Sequence, residues 1–269
     1  MDTASVFESI RPRYPEFKDQ VAIVTGSSRG IGKGIALRLA REGMKVVIHG
    51  INREETDRTT QELAALGVKA IGATIDFSLD DAVDQLFQAT LDAFGTVDLL
   101  VNNAADLRRT HIDKADAALF DTQMAVNVRV PYLASLRAAA IMRPKRSGNI
   151  ISISSVGGAR AHWAGLPYDV TKGAIDSMTQ AMSLDLASEG IRVNAIAPGA
   201  ILSERSPYPD DEKIQAIAQR IPMVRFGKPL EIGAVVAFLA SEDASYITGQ
   251  VIYVDGALAV QLGTRLQPV

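Results

Sequence analysis

The sequence predicts an α/β protein, a doubly wound parallel sheet of about seven strands with helices on both faces. Two observations predict it. Short apolar, β-branched runs alternate with helical stretches along almost the whole chain. The runs are also apolar throughout, as strands buried on both faces must be. VAIVT (21–25) comes first and ends in glycine. IGKGIALRLAREG (31–43) follows at helical spacing and closes on a glycine. KVVIHG (45–50), a helix over about 53–66, VKAIGATID (68–76), a helix over about 79–94 and VDLLVNNA (97–104) repeat the alternation. Two helical stretches, about 113–126 and 127–143, precede GNIISISS (148–155). A helix over about 167–189, IRVNAIAP (191–198), a helix at 229–240 and QVIYVDG (250–256) complete it.

No linker or repeat divides the 269 residues. Residues 1–18 read as an N-terminal extension, 19–257 as a single domain, 203–221 as a polar lid and 258–269 as a C-terminal tail. With 47% hydrophobic and 22% charged residues the chain can bury a substantial core. A net charge of −3 gives no broad basic field, so no nucleic-acid partner is expected. The absence of cysteine excludes disulfides, thiolate catalysis and Cys-ligated zinc. The first residues, MDTASVFESIRPRYPEF, lack the apolar run of a secretory signal, and no segment approaches the ~20 apolar residues of a membrane span. The expectation is a cytoplasmic protein without a membrane partner.

In an open sheet of this kind ligands bind beyond the carboxyl ends of the strands. The first of those ends runs Thr25-Gly26-Ser27-Ser28-Arg29-Gly30-Ile31-Gly32 into a helix. Glycines let the backbone approach a ligand closely, and the helix start offers free N–H groups to a pyrophosphate. The spacing is G-x3-G-x-G, and Gly34 after Lys33 departs from a P-loop, which requires Ser or Thr. An acid at the end of the second strand would bind the ribose of NAD, but Gly50-Ile51-Asn52-Arg53 carries none. Arg29 or Arg53 can pair with a 2′-phosphate, or both can be solvated surface residues. NADP(H) is therefore the expected cofactor, with NAD(H) the alternative.

Tyr168 and Lys172 stand four apart in a helical segment, so both emerge on one face. An ammonium beside a phenol favours the phenolate, which makes a tyrosine a usable general acid/base. Ser155, ending the preceding strand, can donate to a substrate oxygen. TGSSRGIG (25–32), NNAA (102–105), Asn127, Ser155, YDVTK (168–172), IRVNAIAPG (191–199) and ASYITGQVIYVDG (244–256) together resemble the single-domain short-chain dehydrogenases/reductases, over about residues 19–257.

The resemblance implies a Rossmann-like dinucleotide-binding catalytic domain and metal-free hydride transfer between a nicotinamide and a ketone or secondary alcohol. Tyr168 would be the acid/base. Lys172 would bind the nicotinamide ribose and tune the tyrosine, and Ser155 would polarise the carbonyl. Asn127 would hold a water leading from Lys172 to solvent. Gly26, Ser28, Arg29, Gly30, Ile31 and Gly32 would cradle the cofactor, Asp76 and Phe77 would contact the adenine, and Asn103 would border its ribose. Ile201 and Ser203 would meet the carboxamide. Two departures from the pattern are Ala105 and Ala257, each where glycine is usual.

The substrate pocket would be lined by residues 106–109, by the lid, and by His162 and Trp163, which suits a sugar, polyol, hydroxy acid or other small carbonyl compound. The alternatives are a 3-oxoacyl thioester on an acyl carrier protein and a non-catalytic NADP(H) sensor. For carrier docking, Arg143, Lys145 and Arg146 offer basic charge, while Glu189 stands where a base would help. Leu133, Leu136, Ile141, Met178, Met182 and Leu186 exceed what one core face needs, and the resemblance implies a homotetramer paired through those helices.

Overall fold

The computed structural model describes residues 2–204, 206 and 210–263. Positions 205 and 207–209 of the lid and 264–269 of the tail lie outside them. Seven strands form one all-parallel sheet: β1 (Val21–Val24), β2 (Lys45–Gly50), β3 (Ala70–Thr74), β4 (Leu99–Asn102), β5 (Gly148–Ile153), β6 (Ile191–Pro198) and β7 (Val251–Val254). Their order is β3-β2-β1-β4-β5-β6-β7, so the winding reverses between β1 and β4. That reversal opens the crevice in which such sheets bind ligands.

Alternate residues of each strand feed two separate cores. Ala22, Val24, Ile48 and Val101 face one side, where they meet α2 (Gly30–Arg41) and α9 (Pro229–Ala240) through Ile35, Leu39, Ile232 and Val236. Ile23, Val47, Leu100, Ile150 and Val193 face the other. There they meet Leu86 and Phe87 of α4 (Ala82–Phe94), Ala138 and Met142 of α6 (Val130–Met142), and Leu186 of α7 (Tyr168–Leu186). α3 (Arg53–Ala65) adds Leu63 to the first core.

Two readings of the sequence need correction. Residues 2–18 precede β1, yet Phe7, Ile10 and Phe17 among them join the core. α1 (Thr3–Ser9) and a short turn at Pro15–Phe17 bury Phe7, Ile10 and Phe17 against the α2 side. The buried Glu42 carboxylate accepts from the Arg13 and Tyr14 N–H groups and pairs with Arg38. An apolar residue every few positions in a seven-residue helix leaves no readable period, so the docking was not visible in the sequence.

The second concerns the stretches at 113–126 and 127–143. α5 (Ala117–Met124) runs without a break through a π-helical turn (Ala125–Arg129) into α6. There the Val130 N–H donates to Ala125 O, five residues back. Pro131 has no N–H for the carbonyl four residues before it, and the wider turn accommodates that loss inside one continuous helix.

The polar stretch 203–221 contains α8 (Asp211–Ala218), and no helix among the described residues is long and apolar enough to cross a membrane. Ala257 has φ +70°, the left-handed region that favours glycine, which explains why glycine is usual there.

Candidate active site

The strand ends supply the floor of the cleft. The chain leaves β1 through Gly26 and enters α2 at Gly30, both at φ +64°. Gly32 packs against the turn so closely that a Cβ there would overlap Gly26 O and lie 2.5 Å from Asn103 Nδ2. Asn103 is held against the turn. Its Nδ2 donates to Thr25 O (2.8 Å) and Gly26 O (3.1 Å), bracing the turn from below. Buried Ser28 and half-buried Ile31 line the same turn, and the exposed Arg29 pairs with Glu55 at 3.0 Å. The Gly30 N–H, at the start of α2, donates to Glu204 Oε1 at 2.8 Å. The helix start thus already binds an anionic oxygen, and side chains are absent where a pyrophosphate would need close approach. These residues fit a dinucleotide.

His49, at the end of β2, is a structural member of this site to which sequence reasoning assigns no role. Its Nδ1 accepts the Gly26 N–H (3.0 Å), its Nε2 donates to Ile75 O (3.0 Å), and its ring stacks on Phe77 with centroids 4.1 Å apart. The available signal was a histidine closing a wholly apolar strand. One face of Phe77 is therefore covered by protein, while Asp76 is exposed and caps the Ser78 N–H.

Burial lowers the His49 pKa from 6.5 to about 4. The unfolded chain binds the extra proton between those values, so the contribution is complete above pH 6.5 and lost as pH falls toward 4. Urea midpoints should show this group costing about 3 kcal/mol of stability over that interval. A His49→Asn variant should lack that part of the pH dependence.

The opposite wall is built by β5 and α7. Lys172 is buried and donates from Nζ to Ile153 O at 2.7 Å; its Nζ lies 5.5 Å from the Tyr168 ring centroid. Ser155, two residues past β5, accepts the Gly157 N–H at its Oγ (3.1 Å), leaving its own hydrogen to donate. Asn127 sits in the π turn with its side chain fully engaged. Oδ1 accepts from Asp106 N (2.7 Å), while Nδ2 donates to Asp106 O (2.9 Å) and Thr171 Oγ1 (3.2 Å). It ties the loop after β4 to α7. Deeper in, burial pushes the Asp176 carboxyl up, against the effects of Ser154 and Lys172, and its Oδ1 has no hydrogen-bond partner among the described residues.

The side chains expected to line a substrate pocket fare differently. Trp163 is 96% exposed and stands in solvent. His162 is held by Asp169, its Nδ1 2.7 Å from Oδ1 and its N–H 2.8 Å from Oδ2. The Tyr168 ring is faced by Arg109, whose guanidinium carbon lies 4.7 Å from the ring centroid. Ile201 packs against the α2-side core and bridges to Gly227, and the Ser203 N–H donates to Ser206 Oγ.

A family model described as enoyl-(acyl carrier protein) reductase matches residues 26–258. The chain belongs to the short-chain dehydrogenase/reductase family. As a member it is an oxidoreductase. This dehydrogenase/reductase is 36% identical over 252 residues to glucose 1-dehydrogenase 2 of Bacillus subtilis, covering 92% of this chain and 97% of that one. It is 37% identical over 243 residues to 3-oxoacyl-[acyl-carrier-protein] reductase of Synechocystis, covering 90% and 97%. Among solved structures, a putative gluconate dehydrogenase from Agrobacterium tumefaciens superposes with a TM-score of 0.86 at 33% identity, covering 91% of this dehydrogenase/reductase and 98% of that chain.

Proposed function

We propose that the protein is an NADP(H)-dependent oxidoreductase interconverting a ketone and a secondary alcohol on a sugar, polyol or other small carbonyl compound. The observation that carries this is Ser155 just past β5 with Tyr168 and Lys172 in the first turns of α7, Lys172 Nζ lying 5.5 Å from the Tyr168 ring centroid, in a sheet whose winding reverses beside the glycine turn. The nicotinamide, when bound, supplies or accepts the hydride. Tyr168 gives its phenolic proton to the carbonyl oxygen in reduction and takes it back in oxidation. Ser155, oriented by the Gly157 N–H that its Oγ accepts, donates its own hydrogen to that oxygen. Lys172 is held by Ile153 O against the ring and retains donors for a ribose. The main-chain carbonyl of Asn127, to which Pro131 cannot donate, is the acceptor for a water on the proton's route.

Gly26, Ser28, Gly30, Ile31 and Gly32 would hold the pyrophosphate side, Asp76 the adenine side, and Ile201 with Ser203 the carboxamide. Arg53 is exposed and makes no ion pair among the described residues, so the choice of NADP(H) rests on it, and on Arg29 if Glu55 is exchanged. Glu204 competes for the Gly30 N–H that a pyrophosphate would take. Glu204→Gln is expected to tighten NADPH binding about fivefold in calorimetry, by removing an anion from the helix start.

The similarity to a glucose dehydrogenase and a gluconate dehydrogenase supports a sugar-like substrate. The names of other relatives favour an acyl-carrier-protein substrate as the second reading. Against it, Arg143 is paired with Glu189, Lys145 with Asp98, and Arg146 donates to Ser188 O, so those bases are already engaged.

Assembly as a homotetramer is supported by the half-exposed Tyr132 and Leu136 and the exposed Leu184 on α6 and α7. Leu186, in contrast, lies in the subunit core. The test of the proposed activity follows absorbance at 340 nm with NADPH and NADH against keto sugars, cyclic ketones and 3-oxoacyl thioesters. Turnover that depends on Tyr168 supports the proposal. Cofactor binding without turnover of any class leaves the sensor reading in its place.

A further inference from the structure

The loop after β4 is pinned on both sides of Arg109. Arg108 O accepts from Gln123 Nε2 at 2.7 Å, and the Thr110 N–H donates to Leu166 O at 2.8 Å, two residues before Tyr168. The backbone therefore fixes where Arg109 begins, and its guanidinium carbon stands 4.7 Å from the Tyr168 ring centroid. Its neighbour Arg108 is closed on Asp106. Arg109 makes no hydrogen bond or ion pair among the described residues.

Of the acids near Arg109 or Tyr168 in the chain, Asp106 is taken by Arg108, Asp113 lies 3.0 Å from His111 Nδ1, Asp116 caps the Leu119 N–H and Asp169 is taken by His162. The Tyr168 ring is thus flanked by two cations, Lys172 and Arg109, and the second has no counter-charge among the described residues. An exposed cation–π contact is weak, whereas a planar guanidinium matches a carboxylate in charge and geometry. The contact to the ring also sets the distance scale: an anion on Arg109 lies only a few bonds from the oxygen that exchanges a proton with Tyr168.

We propose that Arg109 is a substrate-binding residue and that the substrate carries a carboxylate close to its reacting carbon, as a hydroxy acid, keto acid or sugar acid does. This rests on the oxidoreductase activity proposed above and narrows its substrate. The reaction is unchanged. In oxidation the carbinol carbon loses a hydride to the nicotinamide and its hydroxyl proton passes to Tyr168; the carboxylate takes no part in the electron balance.

The experiment uses pairs of a carboxylate and its near-isosteric neutral counterpart, with NADP+ as oxidant: hydroxy acids of four to seven carbons, gluconate among them, against their amides. Wild-type protein is expected to prefer the acids. Arg109→Leu should lower kcat/KM for them about 50-fold more than for the neutral partners. Arg109→Lys should recover part of the loss, keeping charge without the planar fork.

Equal losses for both members of a pair would overturn the proposal and leave Arg109 a support for the tyrosine ring. Neutral partners turned over as well as the acids would also overturn it, with the oxidoreductase reading intact. Silence toward every pair, and toward the carbonyl compounds of the wider panel, would remove both proposals.

Discussion

Replacing Tyr168 with phenylalanine is expected to lower turnover about 10³-fold while NADPH affinity stays within about twofold. The substitution is clean because of how the ring is held. Tyr168 is buried, and its hydroxyl makes no hydrogen bond among the described residues, so removing the oxygen orphans no partner. The phenyl ring keeps its place beside Lys172 and Arg109. The melting temperature should therefore move by no more than about 2 °C, so that a loss of rate reads as a loss of chemistry. Undiminished turnover in this variant would show that another group carries the proton, and the role proposed for Tyr168 would fall.

The second large effect lies on the other side of the cleft. Gly32→Ala is expected to weaken dinucleotide binding at least about 100-fold and to lower the melting temperature by roughly 5 °C. A methyl there would meet Gly26 O and Asn103 Nδ2, and neither can yield easily. The first is main chain, and the second is fixed by its bonds to Thr25 O and Gly26 O. Relief must come from moving the turn itself, and with it the N–H groups at the start of α2. Gly67→Ala supplies the control. Gly67 has φ +79° with nothing within 4 Å of where a methyl would stand, so strain arises there without reshaping the cleft. It should lose some stability and keep full cofactor affinity. Equal binding defects in the two variants would mean that general destabilisation, not the cradle, sets affinity.

The sheet was legible in the sequence because strands covered on both sides need no polar residues. The ends of β1, β2 and β6 fall within a residue of the apolar runs that announce them. The π turn was illegible because hydrophobic periodicity does not distinguish a bond to the fourth residue back from one to the fifth, and only Pro131 hints at the change.

At the site, residue types and spacing name candidate positions. They could not give the direction of each side chain. An asparagine reads the same whether its amide faces a ribose or braces a turn, as that of Asn103 does. Trp163 likewise reads as a pocket wall until its surroundings show it standing in solvent. His49 and Asp169 escape a reading of the sequence because their roles come from contacts with other segments, 23 and 7 residues away in the chain.

The π turn has a consequence for how this chain tolerates length changes. A helix ordinarily cannot lose one residue without rotating everything beyond it by about 100°. Between Ala125 and Arg129 the helix already carries a surplus residue, so a deletion there restores the ordinary winding and leaves the turns on either side in phase. What the deletion would forfeit is the inward aim of Asn127 and its hold on Asp106 and Thr171. The surplus residue is thus a detachable spacer. Its removal would leave α5 and α6 in phase and cut the Asn127 link between α7 and the loop that carries Arg109, leaving that loop its ties to Gln123 and Leu166.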